Sequence, residues 1–368
     1  MTKILVTGGC GFIGRHVADE LLASGYEVVL YDSLIDQVHT DGPKNLPEGA
    51  EVRRGDVRDA EALRSALAGC EGVIHLAAEV GVGQSMYEIA RYVGANDLGT
   101  AVLLEAVLQQ PVRRLVVASS MSIYGEGYYR RADGSLDETV RRRADDLRAG
   151  RWNPVDAEGQ PLAPCPTDER KRPDLASIYA LTKYAQEREV MIFGEAYETE
   201  TVALRLFNVF GAGQALSNPY TGVLANFASR LASGSPPTIF EDGEQKRDFV
   251  HVRDVARAFR LAYEQADAAG GVFNIGSGRS YSIAEVARLL AQAMGLEHLE
   301  PEILGKYRAG DIRNCFADIG LAREILGFEP QHRLEDSLGE FVAWVRGQTV
   351  VDRGAQMRQE LEARRLVS

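Results

Sequence analysis

The stretch Lys3-Ile4-Leu5-Val6-Thr7-Gly8-Gly9-Cys10-Gly11-Phe12-Ile13-Gly14 sets a short apolar run directly before a cluster of glycines, and an amphipathic stretch follows at once. An apolar run of this length suits a strand buried on both faces. Glycines let the backbone turn tightly and approach a pyrophosphate, whose charge the amides and dipole of a helix N-terminus then stabilise. The segment predicts the opening strand-turn-helix of a doubly wound fold, with Gly8, Gly11, Phe12, Ile13 and Gly14 holding a dinucleotide.

Working outward, short Val-, Ile- and Leu-rich runs alternate with longer amphipathic ones. Strands are expected at 3–7, 27–31, 51–54, 72–76, 114–118, 201–206 and 249–251, and helices at 13–24, 60–67, 96–109 and 177–197. This alternation is the pattern of βαβ units on a parallel sheet. The fold class is therefore α/β, a Rossmann-type doubly wound parallel sheet with a smaller C-terminal substrate-binding cap. The dinucleotide domain is expected over 1–206, with 239–267 returning to it. The cap takes 207–238 and 268–346, and 347–368 forms a helical tail packed loosely or on a partner. Residues 126–172 are too long for a plain connection, so this insertion is either functional or poorly ordered. Its run Arg141-Arg142-Arg143 is read as a solvated cluster.

The 368 residues carry a formal charge of −12. Wrapping nucleic acid or adhering to anionic lipid would need a net basic face, so neither is expected. Any bound phosphate must be held locally by backbone amides and a few arginines. Cys10, Cys70, Cys165 and Cys315 are widely spaced, which suggests neither zinc nor a disulfide scaffold and leaves no metal site in view. No apolar run approaches the roughly 18 residues that span a bilayer, and Met1 leads straight into the first strand, so a cytoplasmic protein is expected.

Asp32 ends the second strand at the spacing of a carboxylate that accepts the adenosine ribose hydroxyls. A carboxylate there repels a 2′-phosphate, which favours NAD over NADP. Asp56 and Val57 are placed to bracket the adenine ring, and Leu76, Ala77 and Ala78 to let the cofactor backbone pass. Tyr179 and Lys183 stand four apart and project from one face of a helix. A phenol with a pKa near 10 is a poor base at neutral pH, and an adjacent ammonium favours its ionised form. Tyr179 is therefore the expected acid/base, and Ser120, at the end of a sheet strand, hydrogen-bonds the same oxygen.

Together these residues resemble the extended short-chain dehydrogenase/reductase family, and the likeness runs from Lys3 to about Phe341. Asn96-Asp97-Leu98-Gly99-Thr100 is similar to that family's Asn-bearing helix, and Arg205 to Gly211 to its cofactor-to-cap junction. The resemblance implies that Asn96, Ser119, Phe207 and Val209 also line the cofactor. It further implies that Asn208, Arg247 and Arg308 hold a substrate diphosphate, with Asp311 on the nucleoside ribose. Ser85, Ser122, Val223 and Leu224 are expected at the sugar, within Gly81 to Met86 and Tyr220 to Leu224. Members commonly pair through two helices, here 96–109 and 177–197, which implies a homodimer.

The residues after the strand serine separate the reactions. The family's nucleotide-sugar 4,6-dehydratases carry an Asp-Glu pair there, whereas this chain has Met121-Ser122. A 4-epimerase needs only Ser, Tyr and Lys, so the expectation is an NAD-dependent 4-epimerase of a UDP- or dTDP-linked hexose. A nucleotide-sugar reductase, dehydrogenase or dehydratase of the same fold is the alternative.

Overall fold

The computed structural model describes the chain except for residues 40, 41, 43, 44, 217, 219, 221, 309, 350, 351, 353 and 368, and the side chains of 355 and 356. Thr221 and Ala309, which fall in stretches matched above, lie outside the described residues.

The core is a seven-stranded, all-parallel sheet. In chain order its parts are β1 (Lys3–Thr7), α1 (Phe12–Ala23), β2 (Glu27–Asp32), β3 (Glu51–Arg54), α2 (Ala60–Leu67), β4 (Gly72–His75), α3 (Gly99–Gln109), β5 (Arg114–Ser120), α4 (Ile178–Tyr197), β6 (Glu200–Leu206), α5 (Val252–Glu264) and β7 (Val272–Ile275). The spatial order is β7-β6-β5-β4-β1-β2-β3, so successive strands are added on one side of β1 up to β3 and on the other from β4 onward. That switch of sides opens a crevice at the carboxyl ends of β1 and β4.

Alternate strand residues face opposite layers. Ile4 and Val6 pack with Val17, Leu21, Phe259 and Ala262 of α1 and α5. Leu5 packs with Leu63, Leu67, Leu103 and Val107 of α2 and α3 on the other face. Arg114 is fully buried yet satisfied, because its guanidinium donates to the carbonyls of Ala262, Tyr263 and Gln265 at the end of α5. A cation there complements the negative pole of the helix.

Three features depart from the sequence reading. Val272–Ile275, expected in the cap, is the edge strand of the main sheet, registered against Ala203–Leu206. Its neighbour Phe249–His251 pairs instead with Asn208–Phe210 in a separate two-stranded ribbon. A brief apolar run carries no signal of which sheet it joins; the packing of α5 against α1 decides that. The 126–172 insertion is folded as a three-stranded antiparallel sheet of Tyr128–Arg130, Leu136–Asp137 and Ala163–Cys165, with a short helix at Ala144–Arg148. Within it Arg142 is no solvated cation. It is buried between Glu126 Oε1 at 3.0 Å and Glu241 Oε1 at 2.5 Å, whereas Arg141 stays exposed and pairs with Asp174.

The cap buries its own core between the helices Val223–Ala232, Ile283–Met294 and Leu334–Arg346. The tail helix Gly354–Ala363 packs on this chain: Leu361 is buried, and Glu360 accepts from Tyr87 at 3.1 Å and Tyr220 at 2.7 Å. Among the described residues no helix is long and apolar enough to cross a membrane.

Candidate active site

A cleft of about 660 Å3 runs from the glycine turn across the carboxyl ends of the strands to the cap. Its floor is shaped by glycine. Gly8 has φ +66°, and a Cβ there would lie 2.8 Å from the Ala77 nitrogen; a Cβ on Gly14 would lie 2.5 Å from the Gly8 oxygen. Gly11 precedes α1 without any side-chain cap, which leaves the first amides of the helix open to the cleft. These residues fit a pyrophosphate: the backbone comes close, and no side chain among the described residues caps the positive end of α1.

Asp32 ends β2 with its carboxylate oriented by the Cys10 amide at 3.0 Å and the Leu34 amide at 2.8 Å. His39, which no sequence pattern singles out, stands 3.7 Å from the same carboxylate. Val57 lies on the wall beside Asp56, whose own carboxylate turns away to Arg58 at 2.6 Å. Leu76, Ala77, Ala78, Ser119, Phe207 and Val209 all reach the cleft wall.

The expected acid/base group sits at the centre. Ser177 caps α4, its hydroxyl accepting from the Ala180 amide at 3.1 Å. That cap sets Tyr179 and Lys183 one turn apart on the helix face that looks into the cleft. The hydroxyl of Tyr179 bonds Ser120. Ser120 in turn accepts from the hydroxyl of Ser122 at 2.9 Å and its amide at 3.2 Å. Tyr179 of α4 therefore meets Ser120 at the end of β5 and, one hydrogen bond further, Ser122 in the turn that follows it.

Electrostatics differ from expectation. Burial raises the Tyr179 phenol above its ordinary value, and the Ser120 hydrogen bond offsets this only in part. Burial also lowers the Lys183 ammonium to about 7, with Glu187 pulling the other way. Desolvation penalises both charged forms, so the ammonium alone does not make Tyr179 an easy base. Ser119 is committed elsewhere, to Glu187 at 2.6 Å.

Several expected residues stand off the wall. Asn96 is fully buried one layer behind, donating to Thr182 Oγ1 at 2.9 Å and accepting from the Glu79 amide at 2.7 Å. Ser85 also lies behind, between the Val82 carbonyl at 2.7 Å and the Tyr179 amide at 3.0 Å. Arg247, Arg308 and Asp311 cluster in the cap away from the cleft lining. Arg308 pairs with Asp311 at 2.8 Å, and Arg247 donates to the carbonyls of Lys246, Ile312 and Arg313. Asn208, Ser122, Val223 and Leu224 do reach the cleft. Among the described residues the side-chain oxygen of Asn208 is buried without a partner, whereas a buried polar atom ordinarily has one. Sequence reasoning did not single out Gln214, Trp344 and Gln348, wall residues brought there only by the folding of the cap.

The model of the NAD dependent epimerase/dehydratase family matches residues 4–145 and 155–276 of this chain. A dTDP-L-rhamnose 4-epimerase of Burkholderia thailandensis is 38% identical over 349 residues, 93% of this chain and 94% of its own length. Among solved structures, a UDP-glucose 4-epimerase of Thermotoga maritima with UDP-glucose superposes with a TM-score of 0.77 at 32% identity, covering 94% of this chain and 99% of that one. A Thermus thermophilus UDP-glucose 4-epimerase in complex with NAD gives 0.75 at 30% identity, covering 95% and 100%.

Proposed function

This chain belongs to the NAD dependent epimerase/dehydratase family, and from that premise we propose that it inverts C4 of a UDP- or dTDP-linked hexose. The observation that carries the reading is the convergence of Ser120, Tyr179 and Lys183 at the cleft, with Met121-Ser122 following the strand serine where a dehydratase would carry two further acid/base groups.

NAD, held by these residues, would supply a reversible hydride acceptor for C4. Tyr179 takes the proton of the C4 hydroxyl and gives it back, while Ser120 bonds the same oxygen and keeps it aligned. Lys183 stabilises the phenolate and would hold the nicotinamide ribose. The Gly8 to Gly14 turn holds the pyrophosphate and Asp32 the adenosine ribose. The orphaned Asn208 oxygen meets a polar group of the substrate, and small wall residues such as Ala78, Gly81 and Gly222 leave room for the 4-keto sugar to turn over. The family resemblance gives Arg247 and Arg308 to the diphosphate and Asp311 to the nucleoside ribose.

Two copies pair through α3 and α4, where Leu98 just ahead of α3 and Leu181 and Ile192 on α4 are each about half exposed; such residues suit a second apolar surface. We place the enzyme in the cytoplasm, where its four unpaired cysteines stay reduced.

The test is incubation of the purified protein with UDP-, dTDP- and GDP-hexoses, resolving the C4 epimers. Inversion with NAD retained through gel filtration supports the reading. Net production of reduced cofactor, or a dehydrated product, overturns it. Tyr179→Phe should lose about a thousandfold or more in turnover, as loss of both acid/base and orienting roles implies, while keeping NAD.

A further inference from the structure

Behind Lys183 runs a chain of buried polar groups whose hydrogen-bond directions can be worked out. The Ala77 amide can only donate, and it donates to Thr7 Oγ1 at 3.3 Å. Thr7 Oγ1 has a second lone pair, so the far end fixes the tautomer: Thr100 spends its single proton on the Asn96 carbonyl and can only accept from His75 Nε2, which makes Nδ1 the acceptor of the Thr7 hydroxyl at 2.7 Å. His75 is buried and held neutral, its pKa pushed down to about 3 by burial and secondarily by Lys183. With Nδ1 an acceptor, its one proton sits on Nε2 and points at Thr100 Oγ1, 2.9 Å away. Thr100 passes its proton to the Asn96 carbonyl at 2.6 Å. A protonated His75 Nε2 cannot accept from Gln186 Nε2, so that amide donates to Thr100 Oγ1 at 2.9 Å and to the Ala77 carbonyl at 3.3 Å.

One orientation of the Gln186 amide remains. Its Oε1 must face Lys183 Nζ, and it does so at 2.6 Å. We propose that Gln186 is the positioning residue of Lys183: a neutral acceptor, locked by five residues on other elements, that holds the ammonium in place without cancelling its charge. The inference rests on the reading of Tyr179 and Lys183 as the acid/base pair. An ammonium has three donors, so one goes to Gln186 and two stay free for ribose hydroxyls. A carboxylate at this position would neutralise the charge that Tyr179 needs; an apolar side chain would leave a buried cation without its acceptor.

The titratable and charged groups around Lys183 are few. Tyr179 and Glu187 share its helix, His75 faces it from β4, and Arg205 on β6 engages both oxygens of Glu187 at 2.7 and 2.9 Å. Asn96 and Thr100 on the α3 side are neutral. Among the described residues no carboxylate other than Glu187 offsets the ammonium, and that one already has a partner.

The measurement is the ionisation of Tyr179 itself, taken as the tyrosinate absorbance of the NAD-loaded enzyme minus that of Tyr179→Phe. It is followed in wild type, Gln186→Met and Gln186→Glu. The substituted carboxylate should raise the midpoint by about one unit, a tenfold effect. Gln186→Met should raise it in the same direction, because an ammonium without its acceptor gives way to the neutral amine. Should the methionine variant melt early or shed NAD, the near-isosteric glutamate variant still decides. Superimposable titrations in wild type and the folded variants would overturn the assignment. No sugar is needed, so absence of C4 inversion with dTDP-L-rhamnose or UDP-glucose would sink the proposed reaction separately, leaving this result standing or falling alone.

Discussion

The hydroxyl of Ser85 accepts the amide hydrogen of Tyr179 at 3.0 Å while donating to the Val82 carbonyl at 2.7 Å. It thereby ties the 82–85 turn to the first turn of α4, where Ser177 satisfies the neighbouring amide of Ala180. Two of the helix's unpaired N-terminal donors are met, one from within the helix and one from a loop far away in sequence. The acid/base helix is thus held at its tip by the turn that also shapes the cleft.

Ser85→Ala should therefore unpair a buried amide and cost about 1–2 kcal/mol of stability. The denaturant midpoint should fall with an unchanged slope. Turnover should fall severalfold through the displaced Tyr179, with NAD content unaltered. An unchanged midpoint would mean that water replaces the serine.

The three consecutive arginines of the insertion should behave unlike one another. Arg142→Met removes one buried partner from each of Glu126 and Glu241, leaving Glu126 with Tyr129 and two backbone amides and Glu241 with Arg313, and should cost about 2 kcal/mol. Arg141→Ala removes an exposed partner of Asp174 and should leave the thermal transition where it is. Thermal melts of the two variants, run side by side, compare a buried ion network with a surface pair on adjacent residues.

Glu189 on α4 and Asp97 beside it are both raised, Glu189 to about 7 and Asp97 to about 6, by burial first and for Glu189 then by Asp97. For such a group the folded chain holds its proton while the unfolded chain has lost it. Stability is thus fully present below the ordinary carboxylate value of 4.5 and is lost as pH rises toward 7. Glu189→Gln should raise the melting temperature at pH 8 and leave it unaltered at pH 4. A stabilisation that ignores pH would disprove the linkage.

Asp32 has both carboxylate oxygens oriented by backbone amides. Asp32→Asn keeps the shape and removes the charge. NAD affinity should fall by about tenfold or more, the loss of a hydrogen bond to a charged group, and discrimination against NADP should narrow. Titrating the apo variant with each dinucleotide measures both.

Features that depend on near neighbours were legible along the chain. The apolar run and glycines of 3–14 dictate strand, turn and open helix end because strand burial and left-handed φ act within a few residues. Tyr179 and Lys183 share a face because helical periodicity is local. Ser120 falls at a strand end for a similar reason. The rest came from packing between segments far apart along the chain. Val272–Ile275 joins the main sheet through α5 packing on α1; Arg142 is buried by carboxylates that come from 126 and 241; Ser85 is drawn behind the wall by the Tyr179 amide. Gln186 lies three residues past Lys183, yet which end of its amide faces the ammonium is set by Thr7, His75, Ala77, Asn96 and Thr100. A side-chain amide has no preferred direction of its own, so its orientation belongs to the groups that folding brings around it.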